Sequence, residues 1–246
     1  VSEGNTATAA LRGVIALDGP SGTGKTTAAR GLASRLGAGY LDTGAMYRVI
    51  ALAALRSGTD VGSPDAVTEL ARRVQLSIGT DPATPRVLLD GADVTADIRA
   101  PEVDRVVSPV AAVAAVRELL VAGQRQIIAA VLNGVGGIVV DGRDIGTVVV
   151  PDAPLKVFLT ASADTRAARR DAQNTAAGLA SDPAAARESV EGRDRIDTTR
   201  AASPLKAADD AVLLDTSDLD REQVLTALAE MARERGLLDE PAEATR

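Results

Sequence analysis

The 246-residue sequence contains no cysteine and no histidine. Without them there are no disulfides, no thiol nucleophiles, no zinc sites of the usual kind and no imidazole acid–base scheme. Any chemistry must run on Asp, Glu, Arg, Lys, Ser and Thr, or on a bound metal. Freedom from cysteine fits a cytoplasmic location. Aromatic residues are almost as scarce, with only Tyr40, Tyr47 and Phe158 present. A chain without a stacking platform is a poor single-stranded nucleic-acid binder. A net charge of −7 further disfavours nucleic acid and anionic membranes as bulk partners. Lysine is rare too: of 27 basic residues only Lys25, Lys156 and Lys206 are lysines. An anionic ligand would therefore have to be held by clustered arginines, against the overall field. No apolar run is long enough to span a bilayer, since 127–150 is broken by Asn133, Asp141, Arg143 and Asp144. The opening residues VSEGNTATAALR lack the pattern of a signal peptide.

What is present is aliphatic. Hydrophobic residues make up 46% of the chain, so the core must be built from Ala, Val, Leu and Ile. Five short runs lack alternation, as strands buried on both faces do: VIALD at 14–18, YLDT at 40–43, GIVVD at 137–141, LKVFLT at 155–160 and AVLLD at 211–215. Helical spacing follows the first, at Ala28, Ala29, Leu32, Ala33 and Leu36. It recurs near the end, at Val224, Leu225, Leu228 and Met231. This alternation predicts an α/β fold, a mostly parallel five-stranded sheet flanked by helices. The rhythm breaks at about 60–110, where VQLSI and RVLLDGADV read as short strands and Asp90-Gly91 as a hairpin turn. A small antiparallel insertion lobe at the sheet's edge is expected there. A polar, Arg-rich stretch at 173–203 reads as an irregular, mobile cover. The expected organisation is one domain over 13–236, with core segments 13–59 and 111–236 and mobile ends at 1–12 and 237–246.

Residues 19–26, GPSGTGKT, fit G-x-x-x-x-G-K-[ST]. The pattern is informative only between a strand and a helix, and here it has both flanks. The backbone from Gly19 through Pro20, Ser21, Gly22, Thr23 and Gly24 can turn its N–H groups toward phosphate oxygens, adding to the helix dipole over Lys25, Thr26 and Thr27. Lys25 can reach the β- and γ-phosphates and Thr26 can ligate Mg²⁺. The stretch therefore holds a nucleoside triphosphate. A GTPase is excluded by the absence of NKxD and D-x-x-G. Three constellations could supply an acceptor site. In LDTGAMYR (41–48), Asp42, Thr43 and Arg48 follow a strand end, although Asp or Thr also reads as a helix cap. In VVDGRDIGT (139–147), Asp141 ends a buried strand where a group supporting Mg²⁺ belongs, with Arg143 and Asp144 in the next turn. In GRDRIDTTR (192–200), Arg193, Asp197 and Arg200 recur at helical steps on one face, equally the spacing of a surface salt bridge. Arg166, Arg169 and Arg170 are further candidates, or a solvated face.

In order and spacing, DGPSGTGKTT, YLDTGAMYR, DGRDIGTVVVPDA and RDRIDTTRAASPL resemble the bacterial cytidylate kinases, from about Gly13 to Gly236. The resemblance implies a P-loop nucleoside monophosphate kinase, with the 60–110 insertion as its monophosphate-binding lobe. It implies Ser108, Arg117 and Asp144 as readers of the cytosine edge and Arg48, Arg143 and Arg200 as holders of the monophosphate. It places Arg193 and Asp197 against the acceptor, Asp197 near the ribose hydroxyls. Transfer from ATP–Mg²⁺ to CMP, and to dCMP, is expected, with UMP a poor acceptor. Lys25, Arg143, Arg193 and Arg200 are the expected catalytic residues, and Thr26 and Asp141 the metal-supporting ones. A monomer acting on small molecules is expected. The alternatives are a kinase of another small acceptor and an ATP-binding module without turnover.

Overall fold

The computed structural model describes residues 10–176, 178 and 182–239. Five strands form one sheet: β1 (Gly13–Asp18), β2 (Gly39–Asp42), β6 (Gly137–Asp141), β7 (Leu155–Thr160) and β8 (Val212–Asp215), in the order β2-β6-β1-β7-β8. The expected sheet was mostly parallel; every pairing in it is parallel. Alternate residues of each inner strand face opposite layers. Ile15, Leu17, Val139 and Val157 pack with Leu32 and Ala29 of α1 (Lys25–Arg35) and Leu228 of α8 (Arg221–Glu234). Val14, Ala16, Ile138 and Val140 pack on the other side with α2 (Thr43–Ser57) and α5 (Ala114–Gly134). Burial on both faces is why these strands read as continuous apolar runs.

Between α2 and α5 the chain makes the insertion. It contains the expected antiparallel pairing, in a three-stranded sheet of β3 (Leu76–Ile78), β4 (Val87–Leu89) and β5 (Ala92–Asp93). The β4–β5 hairpin turns at Asp90 (φ 50) and Gly91 (φ 82), two positive φ values that suit a two-residue loop. Two helices accompany it that the strand pattern did not reveal: α3 (Pro64–Arg73) and α4 (Pro101–Ala112). The lobe touches edge strand β2, where the Tyr40 amide donates to the Thr80 carbonyl at 2.8 Å.

Two expectations need correction. Where it is described, the 173–203 stretch is mostly helical: it holds the end of α6 (Ala163–Ala176) and all of α7 (Pro183–Thr199), the latter capped by Asp182. Nor are the ends loose where they are described. Leu11 is buried and bridges Leu238, while Arg12 pairs with Asp239 at 2.7 Å. The rest of both end segments, 1–9 and 240–246, lies outside the described residues.

Candidate active site

The site lies at the carboxyl ends of β1, β2 and β6, where an open α/β sheet places its ligands. Residues 19–24 pass from β1 into α1. Gly19 has φ 142, and a Cβ there would come 2.1 Å from the Leu159 carbonyl oxygen, so the backbone must run flush against β7. Gly24, at φ 85, caps α1 with no side-chain hydrogen bond. The caps of α2, α3 and α7 are side chains of Asp42, Ser63 and Asp182. The first amides of α1 are therefore left for a ligand. Lys25 is buried, and its Nζ donates to the Pro20 carbonyl at 2.7 Å and to Thr23 Oγ1 at 3.3 Å. Burial and the Arg143 charge push its pKa well below the ordinary lysine value; a bound polyphosphate would restore the charge.

The β2–β6 register sets Asp42 beside Asp141. Asp42 caps α2 through the Ala45 amide at 2.9 Å. Burial pushes its pKa upward, but Arg99, paired with its other oxygen, carries it below the usual carboxylate range. Asp141 forms no ion pair of this kind among the described residues. Burial and the neighbouring Asp42 push it up to about 7, with Thr26, Lys25 and Tyr40 pulling the other way. Thr26 Oγ1 donates to Asp141 Oδ2 at 2.8 Å and Tyr40 to Oδ1 at 3.1 Å, while Thr43 Oγ1 holds the Asp141 carbonyl at 2.8 Å.

Neither Arg143 nor Arg193 spends its charge on a local pair within its own motif. Arg143 turns from Asp144 to Asp197 on α7, with Nε at 3.1 Å. Asp144 instead pairs with buried Arg117, whose guanidinium sits 5.1 Å from the Tyr47 ring centroid. Arg193 does not pair with Asp197 but reaches Asp104 at 3.4 Å. Arg200 is the C-cap of α7, one residue past the helical face expected for it, and lies 3.7 Å from Asp197. Burial, then Arg143 and Arg48, lowers the Arg193 pKa to about 10. Nε of Arg117, Nε of Arg193 and Nη2 of Arg200 are buried with no hydrogen-bond partner among the described residues. Buried donors left in that state normally await a ligand or water.

Two cavities result. The larger, about 690 Å³, runs along Ser21–Ala28, Asp42, Asp141, Arg169 and Arg170 to Thr216 and Arg221. The smaller, about 70 Å³, is lined by Thr43, Tyr47, Ser108, Arg117, Asp144, Asp197 and Arg200. Gly44, Arg48, Gly142, Arg143 and Arg193 line both. Every acceptor-side residue named from the sequence thus lines one cavity or both, and the two volumes meet at an arginine wall.

Several participants escaped the sequence reading. Asp18 accepts the Ile145 and Gly146 amides at 2.8 Å each, fixing the turn after β6; burial raises it to about 6. It ends a buried strand just as Asp141 does, and that signal was available. Asp194, on α7, accepts the Ser21 amide at 2.9 Å and pairs with Arg166. Arg166 and Arg169 also donate to the Ser21 and Thr23 carbonyls, so that face is not simply solvated. Arg99 arrives from the insertion, where no local pattern marked it.

A glycine loop between a buried strand and a helix, facing a second arginine-walled cavity, defines a P-loop nucleotide-binding α/β protein. The family model for "Cytidylate kinase" matches residues 15–234. Proteins named cytidylate kinase are 54% identical over 222 residues in Rhodococcus opacus, covering 90% of this chain and 95% of the relative, and 52% identical in Mycobacterium avium over 90% and 96%. The Corynebacterium glutamicum protein is 54% identical over 87% of this chain and 92% of its own length. The chain belongs to the cytidylate kinase family.

Proposed function

We propose that the protein transfers the γ-phosphoryl group of ATP to CMP, giving ADP and CDP, and that dCMP is a second acceptor. Family membership supports the reaction. The observation that carries the assignment of residues is the shared wall of Arg48, Arg143 and Arg193 between the P-loop cavity and the Arg117–Asp144 cavity. ATP lies in the first with its phosphates against residues 19–27. CMP lies in the second with its base toward Ser108, Arg117 and Asp144, its ribose near Asp197 and its phosphate toward Arg48, Arg143 and Arg200. The phosphoryl in transit then sits between them, where guanidinium groups and Lys25 neutralise developing charge and hold the two oxygens in line. No covalent enzyme intermediate is needed.

Thr26 and Asp141 fit Mg²⁺. Both offer oxygen donors, suited to a hard cation, and Asp141 is a buried carboxylate whose pKa is raised by burial and by Asp42, so a bound cation would favour its charged form. When bound, the ion would supply neutralisation of the charge that develops during phosphoryl transfer. No single helix among the described residues is long and apolar enough to cross a membrane. The reading extends to a monomeric cytoplasmic enzyme acting on small molecules, without nucleic-acid or membrane partners.

An acceptor panel in a coupled ADP-release assay tests it. CMP and dCMP should turn over well and UMP poorly. Faster turnover of UMP or of a non-nucleotide hydroxyl would reassign the acceptor, and ATP binding without turnover would leave only a binding module.

A further inference from the structure

The insertion puts a carboxylate into the arginine wall. Asp104, in the first turn of α4, pairs with Arg48 from α2, Arg170 from α6 and Arg193 from α7. One oxygen takes Arg48 and Arg193, the other Arg170. Its side chain is 11% exposed and the three arginines 8–18%, so solvent screens these pairs little. Burial opposes the charge, yet the three guanidiniums hold the carboxyl below its usual range. Asp104 is therefore an anion.

All three arginines line the larger cavity, and Arg48 and Arg193 line the smaller as well. A phosphate recruits guanidinium groups through anionic oxygens that accept paired N–H donors, and a carboxylate does the same with the same geometry. We propose that Asp104 is an internal anion that, in the ligand-free protein, occupies Arg48, one of the acceptor-phosphate arginines, together with Arg193 of the wall between the two cavities, and so sets a weaker affinity for the acceptor. This rests on the CMP reading of the smaller cavity. Each donor committed to Asp104 must be released or shared when phosphate arrives, and the carboxylate charge adds repulsion against a dianion. The effect is confined to the phosphate: the base-facing pair of Arg117 and Asp144 has no contact with Asp104 in this network. A carboxylate serving instead to brace the arginines toward phosphate would act with the opposite sign.

Calorimetry on the full chain, with CMP and with cytidine as ligands, separates the two. In Asp104→Asn the CMP Kd should fall about tenfold, the factor expected if the internal pairing holds roughly nine molecules in ten. Cytidine, lacking phosphate, should bind as before within about twofold. Asp104→Glu keeps the charge and should resemble the unaltered protein. Unchanged or weaker CMP binding in the Asn variant overturns the proposal, as does an equal gain for cytidine or a gain in the Glu variant. Should the Asn variant fail to fold by circular dichroism, Asp104→Ser is read by the same criteria. Failure of the acceptor reading registers separately, as no CMP uptake by the unaltered protein, and takes this inference with it.

Discussion

Asp141 carries its charge at a cost in the ligand-free site. Its carboxyl is raised from 3.8 to about 7 by burial and by Asp42, and the sign of the consequence follows. The unfolded chain gives up this proton near pH 4, whereas the folded one retains it to about pH 7. Rising pH therefore favours the unfolded state across that window, with no penalty below it and the full penalty above. Asp141→Asn, close in shape to the protonated acid, should raise Tm over the unaltered protein at pH 8 and bring no gain at pH 4. Thermal melts without nucleotide check this, and a pH-independent difference would refute it. Asp18, also raised, is common to both proteins and cancels. At this scale the sequence exposed residues whose place in the site follows from a motif: Lys25, Thr26, Asp42, Asp141. It concealed those defined by distant partners. Asp194 meets Ser21 across 173 residues of chain, and Asp104 meets Arg193 across 89. No local pattern encodes such pairs.

At the scale of elements, hydrophobic period tells most where the apolar face is broad. α1 and α8 were legible for that reason, and the five sheet strands as short continuous apolar runs, although β8 at the edge leaves Leu213 exposed. By contrast, α3 buries only Val67, Thr68 and Leu70, and α7 only Ala186, Val190 and Asp197. So thin a stripe leaves a polar segment that reads as irregular. End signals were present nonetheless, in Ser63-Pro64 and Asp182-Pro183, each a cap followed by proline. The strongest cap belongs to α8, where Asp220 takes the Gln223 amide at 2.8 Å and Gln223 returns a bond to the Asp220 amide at 2.8 Å. Asp220→Ala removes half of that box and should cost about 1 kcal/mol in urea unfolding, with the m-value unchanged. A change under roughly 0.3 kcal/mol, no more than a helix-surface pair contributes, would mean that packing of Val224, Leu225 and Leu228 alone fixes the helix.

For the molecule as a whole, the two volumes make a demand that neither residues nor elements make separately. A cavity of about 690 Å³ suits a nucleoside triphosphate, whereas one of about 70 Å³ is far below the roughly 300 Å³ at which ligand pockets begin. A nucleoside monophosphate cannot enter unless its walls part. Those walls come from different pieces: Ser108 from α4 in the insertion, Asp197 and Arg200 from α7 and its end, Arg117 and Asp144 from the sheet-bound body. Since the body is close-packed on both sheet faces, displacement must fall on α4, α7 or both. The absence of cysteine makes this measurable. Exposed Glu102 on α4 and Glu188 on α7 can each be replaced by Cys and spin-labelled with no competing thiol. Saturating CMP should shift the distance distribution between the labels by a few ångström, of the order that hinge and shear movements produce. A distribution that stays put while CMP demonstrably binds would mean that α4 and α7 do not part from each other, and that the insertion and α7 form one rigid wall.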